Sequence, residues 1–240
     1  MENTKKAYEL RDRVSERERL YIESQYYENF TGDDEKGRQG CELWAQMYPA
    51  DPIPRDHLGL ILNGLGQYDE ALAETREAFR LSPDVLAYAN LGYGYATTDR
   101  LEEASAIIRG AQAKQLDSPP LHLFSYYQAF INNDAAEMEK EVAWAAGKPG
   151  IENLMLAAQA STNAFFGRLK TSRDFLRRAV ESAERSDEKE VAAKYEAYGA
   201  LWEAMFGNAR ESRRRARVCP RAFDRPGCAI HGCSCAGLCR

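Results

Sequence analysis

Five short turns recur along the chain at an almost constant interval: Gly32, Gly66, Asp99, Asn133 and Gly167 are separated by 34, 33, 34 and 34 residues. A period of this length restricts a chain to repeated supersecondary units stacked on one another. The stretch from Pro52 to Val85 shows what one unit contains. Leu58, Ile61, Leu62 and Leu65 recur at three and four residues, as do Ala71, Leu72, Thr75, Ala78 and Phe79, which places each set on one face of a helix. Gly66 between them supplies the permissive backbone of a tight turn, and Ser82-Pro83 stops the second helix. Gly59 and Ala71 are small where the two helices must approach closely. A single hairpin of this kind cannot bury its apolar faces alone, so neighbours are required.

The neighbours are present. Arg19 to Pro52 gives a first helix through Tyr21, Ile22, Tyr26 and Tyr27, the turn Thr31-Gly32-Asp33, and a second helix through Cys41, Leu43, Trp44 and Tyr48. A third hairpin runs through Leu91, Tyr95, Leu101 and Ile108 to about Ser118, a fourth from Pro119-Pro120 to Gly150, and a fifth turns at Gly167. The sixth turn, Phe206-Gly207-Asn208, comes 40 residues after Gly167, which predicts a longer helix or linker before it. Its second helix starts at Ala209 but soon yields to the arginine run Arg213 to Arg217. Three segments follow: residues 1–18 as a charged lead-in helix, residues 19–217 as an array of about six hairpins with the last incomplete, and residues 218–240 as a cysteine-rich tail. The fold class predicted is all-α, a solenoid of antiparallel helical hairpins.

Of six cysteines only Cys41 precedes the tail, which holds Cys219, Cys228, Cys233, Cys235 and Cys239. Thiolates and the tail's His231 invite a zinc reading, yet the gaps do not form two Cys-x-x-Cys knuckles. A disulfide knot fits poorly with an odd cysteine count and a start, MENTKKAYELRDR, that lacks the apolar core of a secretory signal. A third reading is a frameshift product: under one permitted codon choice, displacement by one nucleotide turns the tail into a helix end, a glycine turn and another amphipathic helix. The tail is expected to be non-native or without a fold of its own.

No apolar run reaches membrane-spanning length, so no membrane association and a cytoplasmic location are expected. The net charge of −5 argues against a general nucleic-acid binder, and a single basic run does not reverse that. Catalytic signatures are missing as well. Gly147-Lys148 has the look of a phosphate-loop ending, but Pro149 replaces the hydroxyl residue and Val142 stands where the first glycine belongs. His57 and His122 sit on separate repeat helices, where packing or surface lining is the expected role. The chain reads as no enzyme, with no cofactor and no metal outside the tail question.

Leu58-Gly59, Gly66-Gln67-Tyr68, Ala71, Ala78, Leu81 and Pro83 fall at the spacing of a tetratricopeptide repeat, and the array resembles that family. The resemblance implies a right-handed superhelix whose first helices line a concave groove that binds a peptide or partner domain. In register, Tyr26, Asn29, His57, Leu60, Asn63, Asn90, Tyr93, Phe124, Tyr127 and Phe130 then face the groove, with Asn90 placed to hold a peptide backbone. Packing between helices is the competing role for each aromatic. Family members that bind chaperone tails use a Lys and Arg cluster, whereas Ile22, Asp56, Pro120 and Phe124 stand at comparable places here, so that specialised function is not expected. The wording YELRDRVSERERLYIES, ELWAQMYPADP, GLGQYDEALAE and VAWAAGKPG further resembles the repeat region of large bacterial signalling proteins, downstream of serine/threonine kinase or DNA-binding domains. That likeness covers roughly Lys6 to Arg217 and implies an upstream regulatory domain. The expected function is a protein-interaction scaffold; the alternatives are a small metal-binding protein using the tail, or a spacer or dimerisation module.

Overall fold

The computed structural model describes residues 2–217, without the side chains of Glu2 and Asn29. The frameshift and zinc readings of residues 218–240 lie outside the described residues, as does any groove role of the Asn29 side chain. Thirteen α-helices follow one another among the described residues: α1 (Glu2–Glu9), α2 (Glu16–Tyr26), α3 (Asp34–Met47), α4 (Ile53–Gly64), α5 (Tyr68–Leu81), α6 (Val85–Thr97), α7 (Leu101–Ala113), α8 (Pro119–Ile131), α9 (Ala135–Ala145), α10 (Glu152–Phe165), α11 (Leu169–Arg185), α12 (Lys189–Met205) and α13 (Ala209–Ala216). From α2 onward they pair as six sequential hairpins, and the fold is all-α as expected. The chain divides into two compact units, the first ending at Leu121 and the second starting at His122, within α8.

Each turn residue identified from the period takes a left-handed backbone. The φ values are 64° at Gly32, 78° at Gly66, 59° at Asp99, 57° at Asn133, 71° at Gly167 and 78° at Gly207. That conformation ends a helix by turning the next amide back on the last carbonyls, and glycine, asparagine and aspartate tolerate it best. Helix starts are equally explicit. Asp33, Asp84 and Asp134 each accept a hydrogen bond from a backbone amide of the first turn of α3, α6 and α9. Pro119 opens α8, where a missing amide proton costs nothing.

The lead-in differs from a single helix over residues 1–18. After α1 a short 3₁₀ turn spans Arg11–Arg13, and Ser15 and Glu18 form a capping box that starts α2 at Glu16. α2 then widens into one π-helical turn, Tyr27–Thr31, before Gly32. Tyr8 of α1 stacks on Tyr26 at 3.8 Å between ring centroids, and Arg11 pairs with Glu23 at 3.1 Å, so the lead-in covers the outer end of the first hairpin. The 40-residue interval before Gly207 is taken up by both α11 and α12, each 17 residues long.

In the first unit the core gathers Cys41, Leu58, Ile61, Leu62 and Ala71, then Tyr88, Ala89, Ala111 and Leu121. Trp44 is fully buried and donates its indole N–H to Asp51, which also takes Arg17 at 2.7 Å. In the second unit Tyr126, Ala145, Met155 and Ala158 form one cluster, and Leu156, Ala160, Leu176, Ala179 and Tyr195 anchor another. Alanines at these positions let helices close together. A Cβ on Gly59 would lie 2.4 Å from Thr75 Oγ1 and 3.3 Å from the Ala71 carbonyl oxygen, and one on Gly199 would lie 2.5 Å from a Leu176 methyl.

Candidate functional site

The first helices of the hairpins carry the candidate residues, and each unit presents its own face. In the first unit a polar ladder crosses α2, α4 and α6. Asn90 Nδ2 donates to Asp56 Oδ1 at 2.7 Å, joining α6 to α4. His57 Nδ1 lies 3.0 Å from Glu28 Oε2, and Gln25 Nε2 lies 3.2 Å from the same ring, joining α4 to the end of α2. Asn63 Nδ2 reaches Thr97 Oγ1 at 3.4 Å. Burial pushes the Asp56 carboxyl above its ordinary value, partly opposed by the Asn90 hydrogen bond. Beside this ladder stand exposed apolar side chains, Ile53 and Leu60 on α4 and Leu86 and Tyr93 on α6, each pair seven residues apart and so on one helical face.

In the second unit the first helices α8, α10 and α12 enclose a channel of about 510 Å³. Leu123 and Tyr127 line it from α8, Leu154 and Ala157 from α10, and Tyr198 and Trp202 from α12. The last two rings are stacked at 6.3 Å, and Lys194 lies 5.8 Å from the Tyr198 ring centre. A volume of this size, apolar with a few polar rims, is typical of a recognition site.

The sequence-derived residues therefore divide. His57, Asn63 and Asn90 belong to the ladder, Leu60 and Tyr93 to the exposed apolar positions beside it, and Tyr127 to the channel. Tyr26 sits between Tyr8 and Phe30 in a ring stack, under the lead-in. Phe124 is only 6% exposed and packs inside, because a phenyl ring gains about 2 kcal/mol by burial that an amide such as Asn90 does not. Phe130 meets Phe165 and Phe166 edge-on near the turns, away from the channel lining. Asp56, placed on the inner face by the sequence only as a position lacking a carboxylate-gripping cation, proves to be the partner of Asn90, while Leu86, Leu154, Tyr198 and Trp202 belong to these faces and were missed. The pair Tyr198 and Trp202, four residues apart on a first helix, carried a readable signal.

Other reactive candidates are occupied. Burial pushes the Cys41 thiol up to about 12. His122 pairs with the buried Glu141 and stacks on Trp144 at 3.6 Å, and Lys148 Nζ lies over the same indole, 3.6 Å from the ring centre. Lys148, the lysine of the failed phosphate-loop match, is thus engaged with an aromatic face.

Residues 56–85, the α4–α5 hairpin, match the family model described as tetratricopeptide repeat. The chain carries a tetratricopeptide repeat. Such a repeat implies a general role in protein–protein interaction. Among solved structures the chain is similar to one of Naa15/Naa10 bound to HypK-THB, at 18% identity and a TM-score of 0.44, over 89% of this chain and 33% of that one. The chain thus spans about a third of that chain's length. No curated protein sequence matches. No helix among the described residues is long and apolar enough to cross a membrane.

Proposed function

We propose that the chain is a non-catalytic interaction module whose first-helix faces hold an extended or helical segment of a protein partner. The observation that carries this reading is the channel between α8, α10 and α12, where Tyr127, Tyr198 and Trp202 offer aromatic anchors around about 510 Å³. Aromatic side chains in such places dominate binding energy. The ladder Glu28, His57, Asp56 and Asn90 adds donors and acceptors in the first unit, suited to a peptide backbone or a polar side chain.

Selection of peptides from a displayed random library tests it. Enriched peptides should lose more than about tenfold in affinity for Tyr198→Ala with Trp202→Ala, or for Tyr93→Ala, while helicity by circular dichroism is unchanged. Peptides that bind all variants equally well would remove the basis of the proposal. The likeness of YELRDRVSERERLYIES and its companions supports a further step, that the module belongs to a cytoplasmic bacterial regulator with a kinase or DNA-binding domain upstream. Coding DNA on both sides decides that point, and an upstream frame encoding neither domain counts against it.

A further inference from the structure

In the second unit the residues just before each turn are large and apolar: Phe130-Ile131 before Asn133, Phe165-Phe166 before Gly167, and Met205-Phe206 before Gly207. All but the half-buried Phe130 are exposed, Phe165 at 76% and Met205 at 73%. The strip is continuous. Phe130, Phe165 and Phe166 lie mutually edge-on at 5.5 Å, and Phe206 comes within 3.9 Å of where a Cβ on Gly167 would stand. Contiguous apolar surface of this kind on a water-exposed edge marks an interaction site.

Both ends of the strip have a distinct chemistry. At one end α9 carries the small Ala135 and Ala143, and a cleft of about 500 Å³ opens there, lined by Tyr126, Phe130, Met138, Val142, Phe166 and Phe175. Its rim carries Arg168, whose guanidinium lies 5.0 Å from the Phe166 ring centre, and one carboxylate, Glu139. At the other end, beside Gly207, lies an open depression lined by Arg173, Arg210, Arg213, Arg214, Arg217 and the acidic Glu211. Glu203 holds Arg173 and Glu211 holds Arg214. Arg168, Arg210, Arg213 and Arg217 have no carboxylate partner among the described residues. The edge is therefore apolar and cationic in a chain whose net charge is −5.

We propose that this turn edge is a second docking surface, for an acidic segment of a protein partner. One large apolar side chain of that segment enters the cleft, and its carboxylates meet Arg168, Arg210 and Arg213. The site shares no lining residue with the channel between α8, α10 and α12 and does not depend on it. Single-stranded nucleic acid suits the edge less well. Bases need open ring faces on which to stack, while Met138, Val142, Ile131 and Met205 offer none and the phenylalanines contact one another edge-on.

Fluorescence anisotropy on the full chain tests the assignment with three labelled probes: Glu-Glu-Phe-Glu-Glu-Leu, its counterpart Lys-Lys-Phe-Lys-Lys-Leu, and oligothymidylate. The acidic peptide should bind at least about tenfold more tightly than either other probe. Arg168→Glu with Arg210→Glu should weaken it by about tenfold, and Phe165→Ser with Met205→Ser by a similar factor. Both pairs change exposed side chains, and circular dichroism checks that helicity is retained. Tyr198→Ala should leave the acidic peptide's affinity unchanged, which separates this site from the channel. Absence of acidic-peptide binding up to about 1 mM, equal binding of the two peptides, tighter binding of oligothymidylate, or loss through Tyr198→Ala would each overturn the proposal.

Discussion

Gly59 shows how one residue sets the spacing of a hairpin. With Thr75 Oγ1 only 2.4 Å from a would-be Cβ, and Thr75 itself donating to the Ala71 carbonyl at 2.7 Å, the position has no room for a methyl group. Gly59→Ala should destabilise by about 1–2 kcal/mol despite the better helix propensity of alanine. Adding Thr75→Ala should recover part of that loss, and a double-mutant cycle in urea reads the coupling; purely additive losses would show that the contact is relieved elsewhere. Asp56 makes a different demand. Burial raises its carboxyl in the folded chain above the unfolded value, so its contribution to stability is fully present below the unfolded pKa and is lost as pH rises through the folded one. Asp56→Asn, which removes the charge but keeps a hydrogen-bonding partner for Asn90, should therefore raise the melting temperature at pH 7. The gain should vanish near about pH 4. A substitution that lowers stability at neutral pH would mean that the ionised carboxylate is well accommodated.

At the level of helices, what was legible followed from local backbone chemistry. Glycine, asparagine and aspartate take a left-handed backbone most readily, so Gly32, Gly66, Asp99, Asn133, Gly167 and Gly207 announced the turns, whereas Gln115, left-handed at φ 54°, gave no such signal. The π-helical turn at Tyr27–Thr31 had no such mark, since it depends on how the end of α2 meets its neighbours. The faces were legible only in part because neighbouring residues on a helix lie about 100° apart, and Phe124 and Tyr127 both fit an inner position until packing separates them. Charges within helices were harder still. Arg213 to Arg217 read as a run at a fraying end, yet Arg215 is 7% exposed and bonds Glu196 at 2.7 Å, while Arg173 on α11 grips Glu203 on α12 at 2.6 and 2.7 Å. Asn208 donates to the same carboxylate at 2.9 Å, so Glu203 ties the sixth turn to the fifth hairpin. The Arg173 bonds hold Glu203 below its usual value, and its contribution is present above the unfolded pKa and lost as pH falls through the folded one. Glu203→Ala should cost about 2–3 kcal/mol and speed amide exchange in α13 at pH 7. Unaltered exchange there would show that the pair does not hold the last helix.

For the molecule as a whole, the repeat period ran unbroken through Leu121 and His122 and gave no sign of the division into two units, because that boundary falls inside α8 and changes neither composition nor spacing. What the period does convey is a mode of stability. The most extensive helix contacts among the described residues join neighbours in sequence, α4 with α5, α5 with α6, α10 with α11, α11 with α12 and α12 with α13. Stability in such a stack is a sum of unit terms and nearest-neighbour interfaces, so damage should stay near its origin. Leu176 is a sharp probe, at 1% exposed in the cluster shared by α10, α11 and α12. Leu176→Ala should cost about 2–5 kcal/mol, with the upper end set by how little the surrounding alanines can collapse into the space. Hydrogen exchange followed by mass spectrometry should show faster exchange in α10 to α13, while protection in α3 to α5 keeps its original rate. Acceleration spread evenly over residues 2–217 would mean that the chain unfolds as one cooperative body, and the nearest-neighbour account of its stability would fail.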